Sequence, residues 1–294
     1  MKLKHHWFPI LFGLLLIAFT AYVLLDTFVI GRVYSQITAP PPTSPTVDET
    51  PVITENSYSD SNISITITEY REHDTAIYVA DIRLSDAQYL KTALAKNTYG
   101  RNIKEKTSEM AQSHNAILAV NGDYYGSRES GYVLRNGTLY RSEGSKSRED
   151  LVIWPDGSFE IVSEKDITAK TLEQQGAWQV LSFGPALVQN GQISVETNTE
   201  VGQATYSNPR TAIAIVDELH YMLVVSDGRT SRSDGLSLYQ LAGFLQSLGA
   251  TTAYNLDGGG SSTMWFNGQI VNEPVNHGST VSERSVSDIV YIGY

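Results

Sequence analysis

The sequence predicts an α+β fold: a mixed, mostly antiparallel sheet with flanking helices, preceded by one transmembrane helix. Three observations predict it. Strand-like stretches outnumber helical ones and do not alternate with them regularly, which argues against a doubly wound α/β sheet. Hairpin turn signals recur at Arg135-Asn136-Gly137, Pro155-Asp156-Gly157, Gln189-Asn190-Gly191 and Asn267-Gly268. Finally, Trp7–Leu25 is almost wholly apolar, broken only by Pro9, Gly13 and Thr20, and is long enough to cross a bilayer.

Lys2 and Lys4 precede the apolar run and Asp26 follows it, so the N-terminus is expected to stay cytoplasmic and the rest to be exported. A cleaved signal peptide is the competing reading. The run exceeds a usual signal-peptide core and no small-x-small site follows at once, which favours an uncleaved anchor. Thr38–Pro51 is a Pro/Thr-rich tether that holds a folded domain off the membrane. The expected organisation is therefore residues 1–37 as cytoplasmic N-terminus and anchor, 38–55 as tether, and 56–294 as the extracytoplasmic domain. That makes a single-pass protein of the cell membrane.

Within the domain, Asn62–Tyr70 alternates Ile63, Ile65 and Ile67 with Ser64, Thr66 and Thr68, a half-buried strand. Arg71–Asp74 turns it into Thr75–Leu84. Ser85–Lys96 is read as a loosely amphipathic helix and Ile103–His114 as a second, polar one. The apolar run Ala116–Asn121 is a buried strand. Tyr132–Leu134 with Thr138–Tyr140, and Leu151–Trp154 with Ser158–Val162, form hairpins. Val195–Ser207 has no periodicity and is read as a surface loop over one edge of a site. Thr211–Val216 and Leu219–Val225 are strands. Leu236–Leu248 is an amphipathic helix closed by Gly249, Thr251–Leu256 a short strand, and Ser287–Gly293 a last strand closing the sheet.

The chain has 294 residues, no cysteine and a formal net charge of −11. Absent cysteine removes thiolate catalysis and Cys-based metal sites, and an exported chain without disulfides fits a bacterial surface. The acidity and the lack of a Lys/Arg run argue against nucleic acid as a partner.

The stretch that carries most chemical information is Asn255-Leu256-Asp257-Gly258-Gly259-Gly260-Ser261-Ser262. It places a carboxylate at a strand end beside bare backbone N–H groups able to face an anion. It is not a P-loop, because the Lys-Ser/Thr is missing. It is not a dinucleotide fingerprint, since Thr263 holds the third glycine position, nor a nucleophile elbow, which needs a closing glycine. A plain strand-to-strand turn remains the alternative. The theme repeats at Asn121-Gly-Asp123, Asp227-Gly-Arg229 and Asn208-Pro-Arg210. Singly these are turns with Asx bonds. Together they outline a pocket with carboxylates and arginines, suited to an anionic, hydroxyl-rich ligand.

His73, His114 and His220 read as structural, while loop-borne His277 is a candidate pocket residue. With Ser261 or Ser262 it could form a Ser-His-Asp hydrolase, against which the absent elbow argues. Tyr124, Tyr125 and Trp265 are candidates for stacking on sugar rings, with at least one of them expected in the core. No D-x-D-x-D-G loop appears, so no metal and no cofactor is expected.

In this order, Asn-Gly-Asp-Tyr-Tyr (121–125), Gly-Pro-Ala-Leu (184–187), Asn-Pro-Arg-Thr-Ala-Ile (208–213), Asp-Gly-Arg (227–229) and Asn-Leu-Asp-Gly-Gly-Gly-Ser-Ser (255–262) resemble the phosphodiester glycosidase family. The resemblance spans about Ile82–Gly293 and leaves out the anchor and tether. It implies a hydrolase that removes a sugar from a phosphodiester, in a family that also holds bacterial exopolysaccharide-associated proteins. It also implies pocket roles for Asn121, Asp123, Arg210, Asp227, Arg229, Asp257, Gly258, Gly259, Gly260, Ser261 and Ser262, with Arg284 in Ser-Glu-Arg-Ser-Val added at the C-terminal side. The cysteine-rich additions of eukaryotic members are absent, so their targeting role is not inherited.

The chemistry such a substrate demands can be reasoned separately. Cleavage at the anomeric carbon expels a phosphomonoester, already a good leaving group, so strong general-acid help matters less than in ordinary glycoside hydrolysis. Charge on the phosphate must be neutralised, for which Arg210, Arg229 and the N–H groups after Asp257 are candidates. A carboxylate must support the sugar cation or activate water; Asp257 or Asp123 is expected there, with Asp227 as a further candidate. The alternative is a non-catalytic module that binds glycans or phosphoglycans during exopolysaccharide or cell-wall assembly.

Overall fold

The structure is a computed structural model that describes residues 7–37, 50–145, 147–201, 207–277 and 280–294, with the side chains of 277 and 280 outside the description. The reading of His277 as a pocket residue, and most of the 38–55 tether, therefore lie outside the described residues.

Alternation in the sequence becomes pairing in the sheet. Ile63–Glu72 pairs along its whole length with Thr75–Leu84, and the Ile63, Ile65 and Ile67 side chains are buried while the residues between them are exposed. These strands belong to a nine-stranded sheet that continues through His220–Ser226, Arg210–Asp217, Thr252–Asn255 and Ala186–Gln189. A five-stranded sheet is ordered Gln269–Ile270, Met264–Phe266, Leu118–Asn121, Asp288–Ile292, Leu90–Leu94. A second five-stranded sheet holds the two predicted hairpins, Val133–Arg135 with Thr138–Arg141 and Glu149–Ile153 with Phe159–Ser163. Every pairing among the described strands is antiparallel, as an α+β chain rich in hairpins should give.

The main core lies between the sheets, where Ile65, Ile82, Ile213 and Leu223 of the large sheet meet Leu118, Val120, Met264 and Val290 of the smaller one and Leu151, Ile153 and Leu181 of the third. On the opposite face of the large sheet, helix Leu238–Ser247 buries Leu241, Ala242 and Leu245 against Ala212, Val224 and Ala253. Its start is fixed by a capping box. Ser237 accepts from the Gln240 N–H and Gln240 returns a bond to the Ser237 N–H.

Four elements differ from expectation. Ser85–Lys96 is not a helix. Leu90–Leu94 is a strand that fills the edge beside Asp288–Ile292, and only short 3-10 turns flank it. Leu, Ala and Lys favour a helix locally, but an open sheet edge offered more burial. The polar helix is shorter than expected, Thr107–Ser113, and a helix not foreseen, Ala169–Gln174, begins at the Thr168 cap. The last strand, Asp288–Ile292, occupies an interior place rather than closing an edge.

The apolar run forms helix Trp7–Phe28, long and apolar enough to cross a membrane. Beyond it, Arg32–Gln36 pairs antiparallel with Thr98–Arg101 of the domain, and Val52–Ile53 pairs with Ser57–Ser59 at the edge of the large sheet.

Candidate active site

The site forms where two sheets present neighbouring strand ends. Thr252–Asn255 of the large sheet delivers Leu256-Asp257, Leu118–Asn121 of the smaller one delivers Asn121-Gly122-Asp123, and the Asp257 N–H donates to the Gly122 carbonyl at 3.1 Å. Asn121 fastens the junction. Its amide donates to the Asp257 carbonyl at 2.5 Å, and its side-chain oxygen accepts from Thr211 Oγ1 at 2.8 Å and the Thr263 N–H at 3.2 Å.

Around Asp257 the predicted residues gather. Ser261 Oγ donates to Asp257 Oδ2 at 2.6 Å, and Arg284 Nη2 lies 3.5 Å from the same oxygen. The Arg284 guanidinium also donates to Ser261 Oγ and, at 3.0 Å, to the Gly258 carbonyl. The Arg284 side chain is 40% exposed and that of Asp257 12%, so Arg284 faces solvent and covers a nearly buried Asp257. Burial pushes the Asp257 carboxyl up, opposed by Arg284, Ser261 and Arg128.

The glycine run is shaped by its neighbours. Gly259 sits at φ +63 and donates its N–H to the Pro209 carbonyl at 2.8 Å, and a Cβ there would meet the Arg229 guanidinium at 3.1 Å. The stem of Arg210 packs beside Gly258. Arg229 is held by Asn208 Oδ1 at 2.7 Å, while Arg210 donates to the Leu236 carbonyl and to Glu200 Oε2 at 2.6 Å. Glu200 belongs to the aperiodic stretch expected to border the site, of which residues 202–206 lie outside the described ones. Gly260 and Ser262 are buried.

Two expected carboxylates are turned elsewhere. Asp123 is sealed, its side chain 0% exposed and its Oδ2 2.7 Å from Arg135. Burial works to raise its pKa, but Arg135 and the N–H groups of Ser182 and Tyr125 outweigh it and hold the group ionised. Arg135 also meets Asp288 at 2.8 Å; burial and the Asp123 charge push Asp288 well above the usual carboxylate range. Asp227 faces Tyr78, the Asn272 amide and the Glu273 N–H, and joins the glycine turn only through Asn272, which also donates to the Ser262 carbonyl.

Sequence reasoning missed Arg128, Arg135 and Asp288. Arg128 stacks over Phe183 at 4.7 Å and lies 5.7 Å from the Tyr124 ring. It lies on the loop that carries Asp123, which is the signal that could have found it. Asp288 opens a strand that is buried throughout, an unusual place for a carboxylate, whereas Arg135 was hidden in a turn signal. Tyr125 and Trp265 are core residues, and Tyr124 alone of the three aromatics is exposed. Among the described residues no three His, Asp or Glu side chains gather as metal ligands would.

Residues 114–293 match the sequence profile of the phosphodiester glycosidase family. An uncharacterised protein of the SPbeta prophage of Bacillus subtilis is 28% identical over 203 residues, covering 67% of this chain and 31% of the relative. The mouse N-acetylglucosamine-1-phosphodiester alpha-N-acetylglucosaminidase is 29% identical over 178 residues, 54% of this chain and 34% of the relative. The chain thus spans about a third of the length of the curated relatives it matches. In three dimensions it is similar to the catalytic domain of the zebrafish enzyme of the same name, with a TM-score of 0.62 at 22% identity over 90% of this chain and 88% of that one. A hypothetical protein from Synechocystis shares the fold less closely, with a TM-score of 0.54 at 17% identity over 79% and 62%. With more than half of its length matching the family profile, and the same fold, the chain belongs to the phosphodiester glycosidase family.

Proposed function

We propose that this domain hydrolyses the glycosidic bond of a sugar 1-phosphodiester, acting outside the cell on surface or exopolysaccharide material while Trp7–Phe28 holds it in the membrane. The observation that carries the reading is Asp257, a carboxylate at the mouth of the site with Ser261 and Arg284 on it and Arg210 and Arg229 close by.

In the reaction, the oxygen of a water bonds to the anomeric carbon as the bond from that carbon to the phosphate oxygen breaks. The electron pair leaves with the phosphate, whose charge grows from −1 towards −2. Arginines fixed beforehand near that phosphate stabilise the transition state more than the substrate. Arg284 and Arg229 take that role, joined by Arg210 once Glu200 yields it. Asp257 accepts the proton of the attacking water, and its raised pKa makes it a better base than an exposed carboxylate. Between the two expected aspartates, Asp257 keeps 12% of its side chain accessible and Asp123 none, which favours Asp257 as the reacting group.

The test is release of free sugar from N-acetylglucosamine 1-(methyl phosphate) by the purified full-length chain in detergent. Release that vanishes in the Asp257→Asn chain supports the proposal. Saturable binding without release would instead make this a glycan-binding protein.

A further inference from the structure

The chain between the apolar helix and the domain is short and held in place. Three residues lie between Phe28 and Arg32, a reach of at most about 14 Å from one Cα to the other. The Asn102 amide donates to the carbonyls of Thr27 and Ile30 at 3.1 and 3.3 Å, Asp26 pairs with Arg32, and Arg32–Gln36 is a strand registered on Thr98–Arg101. Ile37 continues the contact, with its N–H on the Asn97 carbonyl at 2.8 Å and its side chain against the cluster of Leu94, Tyr99, Tyr125 and Val133. These contacts all come before the Pro/Thr-rich stretch in the chain. The domain therefore rests at the foot of the helix, whatever the later residues do.

That same strand walls a cavity. Arg32 and Tyr34 on one side, with Tyr99, Arg101, Tyr125 and Arg128 on the other, line about 270 Å³. Tyr34, Tyr99 and Tyr125 form a continuous aromatic row, with successive ring centroids 5.7 and 5.6 Å apart. One end of the cavity is at Arg32, next to the end of the helix. The other end is at Arg128, whose charge also acts on Asp257 and Asp123. A cavity with aromatic and mixed-charge walls, Glu129 and Glu143 among them, thus lies between the foot of the helix and Arg128.

We infer that the substrate is a glycosyl phosphodiester whose non-sugar part is anchored in the same bilayer as the enzyme. In this arrangement the sugar and its phosphate sit at Asp257 between Arg229 and Arg284, and the remaining group passes Arg128 and follows the aromatic row back to the membrane. This rests on the hydrolase reading above and narrows its substrate class. A soluble ester meets the same catalytic groups but gains nothing from the fixed height of the domain, whereas a membrane-borne ester is presented at high local concentration.

The experiment uses the full-length chain in phosphatidylcholine vesicles. Release of N-acetylglucosamine is measured from two esters of its 1-phosphate, a hexadecyl ester carried in the same vesicles and a methyl ester in solution. A second chain carries ten Gly/Ser residues inserted between Gly31 and Arg32, which lengthens the connection by up to about 33 Å and leaves the domain sequence untouched. The expected result is that the insertion lowers turnover of the hexadecyl ester at least tenfold and leaves the methyl ester unchanged. Equal turnover of the hexadecyl ester by both chains overturns the inference while the hydrolase reading stands. Failure of the unmodified chain to release sugar from either ester overturns both.

Discussion

Arg135 and Asp123 form an ion pair at 2.7 Å in which neither side chain is more than 2% exposed. Burial and the Asp123 charge push the neighbouring Asp288 well above the usual carboxylate range, while Arg135 holds Asp123 below it. Removing the Asp123 charge strands a buried guanidinium, which costs about 3–5 kcal/mol. Asp123→Asn should therefore unfold at a markedly lower temperature. Asp257→Asn should melt like the parent and lose sugar release at least about a hundredfold. Thermal melts beside activity assays distinguish the two. A stable, inactive Asp123→Asn would return that residue to the reaction itself.

Asn121 is the mechanical link between the sheets that carry the site. Asn121→Ala leaves the Asp257 carbonyl, the Thr211 hydroxyl and the Thr263 N–H without these partners in a buried place, an expected loss of about 3 kcal/mol. Urea unfolding of the purified chain should show the midpoint fall with an unchanged slope.

Asp150 is buried near Glu164, and burial followed by that like charge pushes it up to about 8. Unfolded, it would titrate near its usual value of about 4. The folded state therefore holds a proton that the unfolded state has lost between these values. Stability from this group is full below pH 4, falls as pH rises, and is gone above pH 8. Asp150→Asn should melt close to the parent at pH 4 and above it at pH 8. A gap between the two melting temperatures that does not widen with pH would refute this.

Glu200 holds the Arg210 guanidinium at 2.6 Å. If Arg210 contacts the substrate phosphate, Glu200 competes with it. Glu200→Gln should then lower KM for the methyl phosphodiester by about fivefold with kcat little changed, as expected from releasing one charge-assisted bond. An unchanged KM would leave Arg210 as a support for the Leu236 loop.

Much of the architecture was legible because it is written locally. Ile63, Ile65 and Ile67 mark one face of a strand, Asn136-Gly137 and Asn190-Gly191 mark turns, and Ser237 with Gln240 marks a helix start. Leu90–Leu94 was misread because its place depends on a partner strand two hundred residues away in the chain. The sequence marked the glycine turn with Asp257 and the Asp-Gly-Arg setting of Arg229, which the structure brings together, whereas Arg284 entered only through the family resemblance. The inward turn of Asp123 was not, because it depends on Arg135 and Asp288, and no short window contains all three.

The interior position of Asp288–Ile292 also governs when the domain can form. This strand pairs with Leu118–Asn121 on one side and Leu90–Leu94 on the other. Until residue 292 has emerged from the ribosome, those two earlier strands have nothing to bridge them, and Asp288 cannot reach Arg135. The growing chain must therefore wait, largely unassembled, with its sheet edges open to chaperones and proteases. A nascent chain stalled shortly before that strand should thus be digested by protease where the finished one resists.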